Sequence, residues 1–141
     1  MGNNRNRHFA SSAVLLAFLI FAVGSGDTDT DTQEIKNQEA SFTLTANELY
    51  SEYDHNEVAA DSKYKGKVVA VDGIVQDIGK DIMDDAYIVI GGSGFLDGVQ
   101  CMFTSGEQSK VANLSKGQKV SVKGEVSGKM GNVLVNKCSF E

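Results

Sequence analysis

The chain has 141 residues, which is enough for one globular domain and too few for two. Its 15 glycines and the absence of proline and tryptophan are typical of a β-rich fold with tight turns. Beyond residue 26 it holds eleven basic and nineteen acidic residues, a net charge of −8. A charge of this sign repels polyanions and disfavours nonspecific binding to nucleic acid.

Residues 1–26 have the pattern of a secretory signal peptide. Basic residues precede an uncharged apolar stretch over residues 9–23, and small residues follow at positions 24–26. The apolar stretch is shorter than the roughly 20 residues that cross a bilayer comfortably. We therefore predict export to the periplasm or the extracellular space. The alternative is an uncleaved signal anchor, in which residues 9–23 tether the chain to the membrane.

The segment over residues 27–42 is acidic, with Asp and Thr alternating from residue 27 to residue 32. Such a segment buries too little apolar surface to order itself, so we predict a disordered linker. The folded domain is then expected to span residues 43–141.

Thr45 and Glu48 form the Thr-x-x-Glu pattern of a helix capping box, directly before a run with helical apolar spacing. This pattern predicts a helix over residues 46–61. The residues expected on its inward face follow i, i+4, i+7 and i+11 spacing. They are Leu49, Tyr53, Asn56 and Ala60.

The pattern Val-x-Val-x-Gly-x-Val occurs twice, over residues 69–75 and residues 120–126. Valine at every second position predicts a strand with one buried face, and the central glycine lets the strand coil or bulge. Further strands are predicted over residues 86–90, 99–103 and 133–140, with a short helix within residues 106–114. The order β-β-β-α-β-β predicts an all-β domain, a five-stranded OB-fold Greek-key barrel with an N-terminal helix and one short helix.

Several segments share a pattern with one known family, beginning with Leu-Thr-Ala-Asn-Glu-Leu-Tyr at residues 44–50. The others are residues 56–61, 64–67, 71–73, 99–103, 117–120 and 138. On these residues the chain resembles the tRNA_anti-like family, mostly uncharacterised bacterial OB-fold proteins, many of them exported. The resemblance implies an OB fold and supplies no catalytic residue. Some relatives look like lipoproteins, whereas this chain has no cysteine before Cys101 that would accept an N-terminal lipid.

The two cysteines fall in the third and the last predicted strands. Cys101 is expected to face inward, and Cys138 is expected to share an inward face with Leu134 and Phe140. These two strands are neighbours in an OB barrel, so the thiols are expected to meet. In an oxidising compartment we predict a disulfide, with two buried free thiols as the alternative.

The loops that flank the usual OB binding face carry more acids than bases, because the predicted loop over residues 77–85 holds four Asp and one Lys. We therefore predict a binding module of the cell envelope that recognises a small ligand, a cation or a basic protein segment. Single-stranded nucleic-acid binding, which needs basic tracks and stacking aromatics, is the alternative. The candidate contacts are Asp77, Asp81, Asp84, Asp85, Tyr87, Met102 and Lys129.

The sequence contains no pattern typical of an enzyme. His55 is the one histidine after residue 26, and neither cysteine belongs to a Cys-x-x-Cys pair. The glycines at 91, 92, 94 and 98 precede a strand instead of opening a helix, unlike a dinucleotide-binding loop. We predict no enzymatic activity, no metal site and no cofactor.

Overall fold

The computed structural model describes residues 28–91 and 96–141, with side chains described from residue 33 onward. The predicted signal segment lies outside the described residues. No helix within the described ranges is long and apolar enough to span a membrane.

The described residues form four α-helices, one 3₁₀ turn and six strands. Before the barrel come α1 (Thr28–Asn37), β1 (Phe42–Thr45), α2 (Ala46–His55) and α3 (Glu57–Tyr64). The first three barrel strands are β2 (Val68–Lys80), β3 (Ala86–Ile90) and β4 (Val99–Phe103). The 3₁₀ turn (Ser105–Glu107), α4 (Gln108–Ala112), β5 (Lys119–Met130) and β6 (Asn132–Phe140) complete the chain.

The five strands β2, β3, β4, β6 and β5 pair in that order, and the pairing of β2 with β5 closes the barrel. Neighbouring strands are antiparallel except β4 and β6, which run parallel. The two Val-x-Val-x-Gly-x-Val stretches lie against each other, with Val71 opposite Val122. Their alternate valines are buried in the core. The predicted OB-fold barrel is confirmed.

A sixth strand, β1, pairs in parallel with β2 and was not predicted from the sequence. It has only four residues, of which Phe42 and Leu44 are half-buried. The Phe42 ring meets Tyr64 edge to face, with ring centroids 5.0 Å apart. This strand therefore adds to the barrel beside β2, and its Phe42 contacts α3.

The predicted single helix over residues 46–61 is two helices, α2 and α3, separated at Asn56. The backbone of Asn56 is extended, with φ −158° and ψ 96°, and its side-chain oxygen accepts a hydrogen bond from the backbone N–H of Ala59 at 3.1 Å. Asn56 therefore caps α3 and is exposed, and the prediction that it faces inward is wrong. Leu49, Tyr53 and Ala60 are buried as predicted.

The predicted capping box at the start of α2 is present. The backbone N–H of Glu48 donates to Thr45 Oγ1 at 3.2 Å, and the backbone N–H of Thr45 donates to Glu48 Oε2 at 2.8 Å. We expect Thr45→Ala to lower the free energy of unfolding by about 1 kcal/mol, because one helix N–H loses its partner. Urea unfolding measures this. Thr43→Ala, at another exposed threonine of β1, is the matched control and is expected to change stability by less than about 0.5 kcal/mol.

The structure differs from the predicted disordered linker, because residues 28–37 form α1. Ile35 is buried, and the helix packs against β5 and β6. Lys36 Nζ lies 3.8 Å from Glu107 Oε1, and the Lys36 carbonyl accepts a hydrogen bond from Lys123 Nζ at 2.9 Å. The segment is ordered by the burial of Ile35 and by polar contacts with Glu107 and Lys123. These two partners are distant in sequence, so the composition of the segment does not predict the contacts.

A bulge in β6 sets which of its side chains face inward. Cys101 pairs with Val135, but Phe103 pairs with Cys138, so β6 holds one extra residue between these positions. Lys137 takes a left-handed backbone conformation there, with φ +54°. Because the bulge shifts the alternation, Leu134 lies on the opposite face from Cys138, and the prediction that they share a face is wrong.

Candidate binding face

The outer face of β3 and β4 carries Tyr87, Gln100 and Met102, on the side where OB folds commonly bind their ligands. Tyr87 and Met102 are direct cross-strand neighbours, and both are half-buried. The Gln100 side-chain amide donates to Met102 Sδ at 3.3 Å. The structure thus brings Tyr87 and Met102, two of the predicted contacts, together.

A groove of about 330 Å³ adjoins this face. The residues that line it come from the β2–β3 hairpin, from the end of β4 with the two residues after it, and from the β6 bulge. Its lining residues are Asp81, Asp85, Met102, Phe103, Thr104, Ser105, Asn136 and Lys137. The groove is therefore lined by two acidic side chains and one basic side chain, together with the apolar side chains of Met102 and Phe103.

The β2–β3 hairpin loop is shorter than predicted, because β2 continues to Lys80 and leaves residues 81–85 as the loop. The Asp81 carboxylate accepts hydrogen bonds from the backbone N–H groups of Met83 and Asp85, at 2.8 and 3.0 Å. Asp84 adopts φ +69° and receives a hydrogen bond from Lys80 Nζ at 2.8 Å. Two of these acids therefore hold the loop in shape.

Asp77 and Lys129, two of the predicted contacts, have other partners. Asp77 lies on β2, and its hydrogen bond with Lys116, 2.9 Å away, lowers the pKa of the Asp77 carboxyl. Lys129 lies on β5, 3.1 Å from Asp54 and 4.9 Å from the centre of the Tyr50 ring. The hydrogen bond with Asp54 raises the pKa of Lys129. The four predicted acids therefore do not converge on one point.

Most lysines lie within ion-pair distance of a carboxylate, and Lys36 and Lys110 share Glu107. Eight of the eleven lysines form ion pairs: Lys36, Lys63, Lys65, Lys80, Lys110, Lys116, Lys123 and Lys129. Lys67 lies 5.6 Å from the centre of the Phe42 ring. Exposed pairs contribute at most about 1 kcal/mol each to stability, but each one cancels positive charge that a polyanion would need.

Sequence reasoning missed two features beside the groove. One is the pair Asn136 and Lys137 in the last strand. These two consecutive polar residues interrupt the apolar alternation of the strand, and such an interruption indicates a bulge. The other is the pair Ile82 and Met83, both highly exposed at the tip of the hairpin. Their signal was an apolar pair inside an acidic turn, an unusual composition for a loop.

Within residues 33–91 and 96–141, no group of three or more His, Cys, Asp or Glu side chains is arranged to hold a metal ion. His55 lies at the C-terminus of α2, and both cysteines are free thiols buried in the barrel.

Three solved structures that are similar to this chain share at most 21% sequence identity with it. The "putative nucleic acid-binding lipoprotein" of Klebsiella pneumoniae is 21% identical with a TM-score of 0.58, over 72% of this chain and 92% of that chain. The OBody AM3L09 bound to hen egg-white lysozyme is 18% identical with a TM-score of 0.45, over 55% and 84%. The Stn1–Ten1 complex of S. pombe is 18% identical with a TM-score of 0.44, over 52% and 56%.

Comparison with curated protein sequences gave no match. The family model described as tRNA_anti-like matches residues 8–139, nearly the whole chain. The resemblance carried by the motifs of the folded domain is therefore confirmed, and this protein belongs to the tRNA_anti-like family.

Proposed function

We propose that this protein is an exported, non-enzymatic OB-fold binding module of the cell envelope that recognises a basic protein segment. The observation that carries the proposal is the charge around the groove. Two acids, Asp81 and Asp85, line it with one lysine, Lys137, and eight of the eleven lysines of the domain lie in ion pairs with carboxylates. A basic segment gains attraction from this arrangement, and a polyanion meets repulsion.

A protein segment fits the site better than a single small cation does. The Asp81 carboxylate already accepts two backbone hydrogen bonds, and Asp84 already pairs with Lys80. Because these acids have different partners, their negative charges are distributed along the surface and do not converge on one point. An extended segment with several lysines or arginines matches such a surface, whereas an ion needs ligands that converge.

Two features support export and the absence of catalysis. The basic and apolar pattern over residues 1–26 is that of a secretory signal. The two nucleophilic thiols are buried in the barrel, and His55 lies on a separate helix. Nucleophilic catalysis requires a base within hydrogen-bond reach of an accessible nucleophile.

Single-stranded nucleic-acid binding is the second candidate, and one observation favours it. The Tyr87 ring lies beside Met102 on the face that OB folds use for stacking bases. The similar Klebsiella pneumoniae structure has the description "putative nucleic acid-binding lipoprotein". This candidate requires affinity that falls steeply as salt rises.

The two candidates are separated by binding to two labelled probes, an oligolysine peptide and an oligothymidine. We expect the protein, purified from a secreting host, to bind the peptide in fluorescence anisotropy and to leave the oligothymidine free at low salt. Asp81→Asn with Asp85→Asn is expected to weaken peptide binding several-fold, because the amides keep the loop hydrogen bonds and lose the charge.

The matched control is Glu34→Gln with Glu39→Gln, which removes the same charge at exposed positions outside the groove. If this control weakens binding as much as the groove variant, the groove is not the site. Salt-sensitive binding of oligothymidine would instead favour the nucleic-acid function.

A further inference from the structure

The tip of the β2–β3 hairpin displays two large apolar side chains to solvent. Ile82 is fully exposed, and Met83 is 77% exposed. Single exposed apolar residues are common on protein surfaces, but two consecutive ones at a protruding tip are a concentrated apolar surface. They lie directly between Asp81, which lines the groove, and Asp84.

The loop that carries the tip is closed by several hydrogen bonds among its own residues. The backbone N–H of Asp81 donates to the Asp85 carbonyl at 3.0 Å, and the N–H of Asp84 donates to the Asp81 carbonyl at 3.1 Å. The Asp81 carboxylate also accepts from Met83 and Asp85. A loop ordered in this way loses little conformational entropy when a partner covers it, so burial of its apolar atoms converts more fully into affinity.

The charges around the tip indicate the chemistry of its partner. Asp81, Asp84 and Asp85 surround the apolar pair, and Lys80 is already paired with Asp84. Acids at this position repel the anionic headgroups of a membrane surface and attract lysine and arginine. Charge complementarity therefore favours a protein partner that presents basic and apolar side chains together.

We infer that Ile82 and Met83 form the apolar half of a protein-docking surface whose acidic half is formed by Asp81, Asp84 and Asp85. The occupant is a protein segment in which basic residues alternate with large apolar residues. Its basic side chains lie along the groove acids, and its apolar side chains pack on the tip. This inference rests on the proposed function. It adds the requirement that the partner presents large apolar side chains as well as basic ones.

The test uses two labelled synthetic peptides of equal length and charge, one alternating Lys with Leu and the other alternating Lys with Ser. We expect the Lys–Leu peptide to bind about tenfold more tightly, because leucines bury apolar area against the tip. Ile82→Ser with Met83→Ser is expected to remove that preference and to leave the affinity for the Lys–Ser peptide unchanged. Val58→Ser, at a residue of α3 that is 78% exposed, is the control that keeps the preference.

The outcomes separate this inference from the proposed function. Equal affinity for the two peptides overturns the docking tip and leaves the basic-segment function standing. If neither peptide binds, both fall. Vesicles of phosphatidylcholine, with and without phosphatidylglycerol, provide the other arm: binding that depends on Ile82 and Met83 would identify a membrane surface as the occupant and overturn the protein-docking surface.

Discussion

Replacing Gly124 with alanine is expected to lower the free energy of unfolding by about 2–3 kcal/mol, the upper part of the range for overpacking a core. A Cβ atom at this position would lie 2.7 Å from the Asn136 carbonyl oxygen, 2.7 Å from Val135 Cγ1 and 2.9 Å from Cys138 Sγ. The carbonyl belongs to the backbone of the β6 bulge, so it cannot move aside as a flexible side chain would. Urea unfolding of the wild type and the variant measures the loss.

Two other glycines supply controls for this variant. Gly66 has φ +76° and no atom within 4 Å of an added Cβ, so Gly66→Ala tests backbone strain alone and is expected to cost about 1–2 kcal/mol. Gly73 occupies the same place as Gly124 in the repeated strand pattern, but its nearest contact would be Ala46 Cβ at 3.2 Å. We expect Gly73→Ala to cost less than Gly124→Ala. Equal losses at Gly73 and Gly124 would contradict the close approach of β6.

The barrel could be predicted from the sequence because its strands carry a period of two. The strands over residues 86–90 and 99–103 were predicted with the bounds that the structure has. The extra length of β2 and β5, which continue to Lys80 and Met130, could not be predicted because their ends are polar. Strand β1 was missed because four residues are too few to establish a period, and its pairing with β2 depends on a contact distant in sequence.

The candidate site was less predictable, because its charges are arranged by contacts between distant residues. Asp77 pairs with Lys116, which follows the 3₁₀ turn and α4 in the sequence. Lys129 pairs with Asp54 of α2. Neither ion pair can be predicted from the residues next to it in the sequence, because the two partners are distant in the chain. Tyr87 and Met102 were placed correctly on one face because strict alternation decides which strand residues point outward.

The protein that folds in an oxidising compartment is expected to carry a disulfide between Cys101 and Cys138. In the structure both thiols are free and fully buried. Strands β4 and β6 are neighbours, with Cys101 opposite Val135 and Cys138 opposite Phe103. Oxidation would remove two protons and two electrons from the thiols, which oxidised glutathione can accept through thiol–disulfide exchange. Closing a loop of this length contributes roughly 4 kcal/mol to stability in the chain-entropy model, less any strain.

The timing of this oxidation follows from the burial of the pair. Burial, followed by the interaction with Cys101, raises the pKa of the Cys138 thiol, so the reactive thiolate is scarce in the folded state. We therefore expect the disulfide to form before the barrel closes, and the folded reduced protein to react slowly with oxidised glutathione.

A chain refolded with oxidised glutathione should lose two hydrogens by mass spectrometry and unfold at higher urea than the same chain with reductant. The variant Cys101→Ala with Cys138→Ala should show no effect of reductant, and equal urea midpoints for the oxidised and reduced wild type would contradict the disulfide.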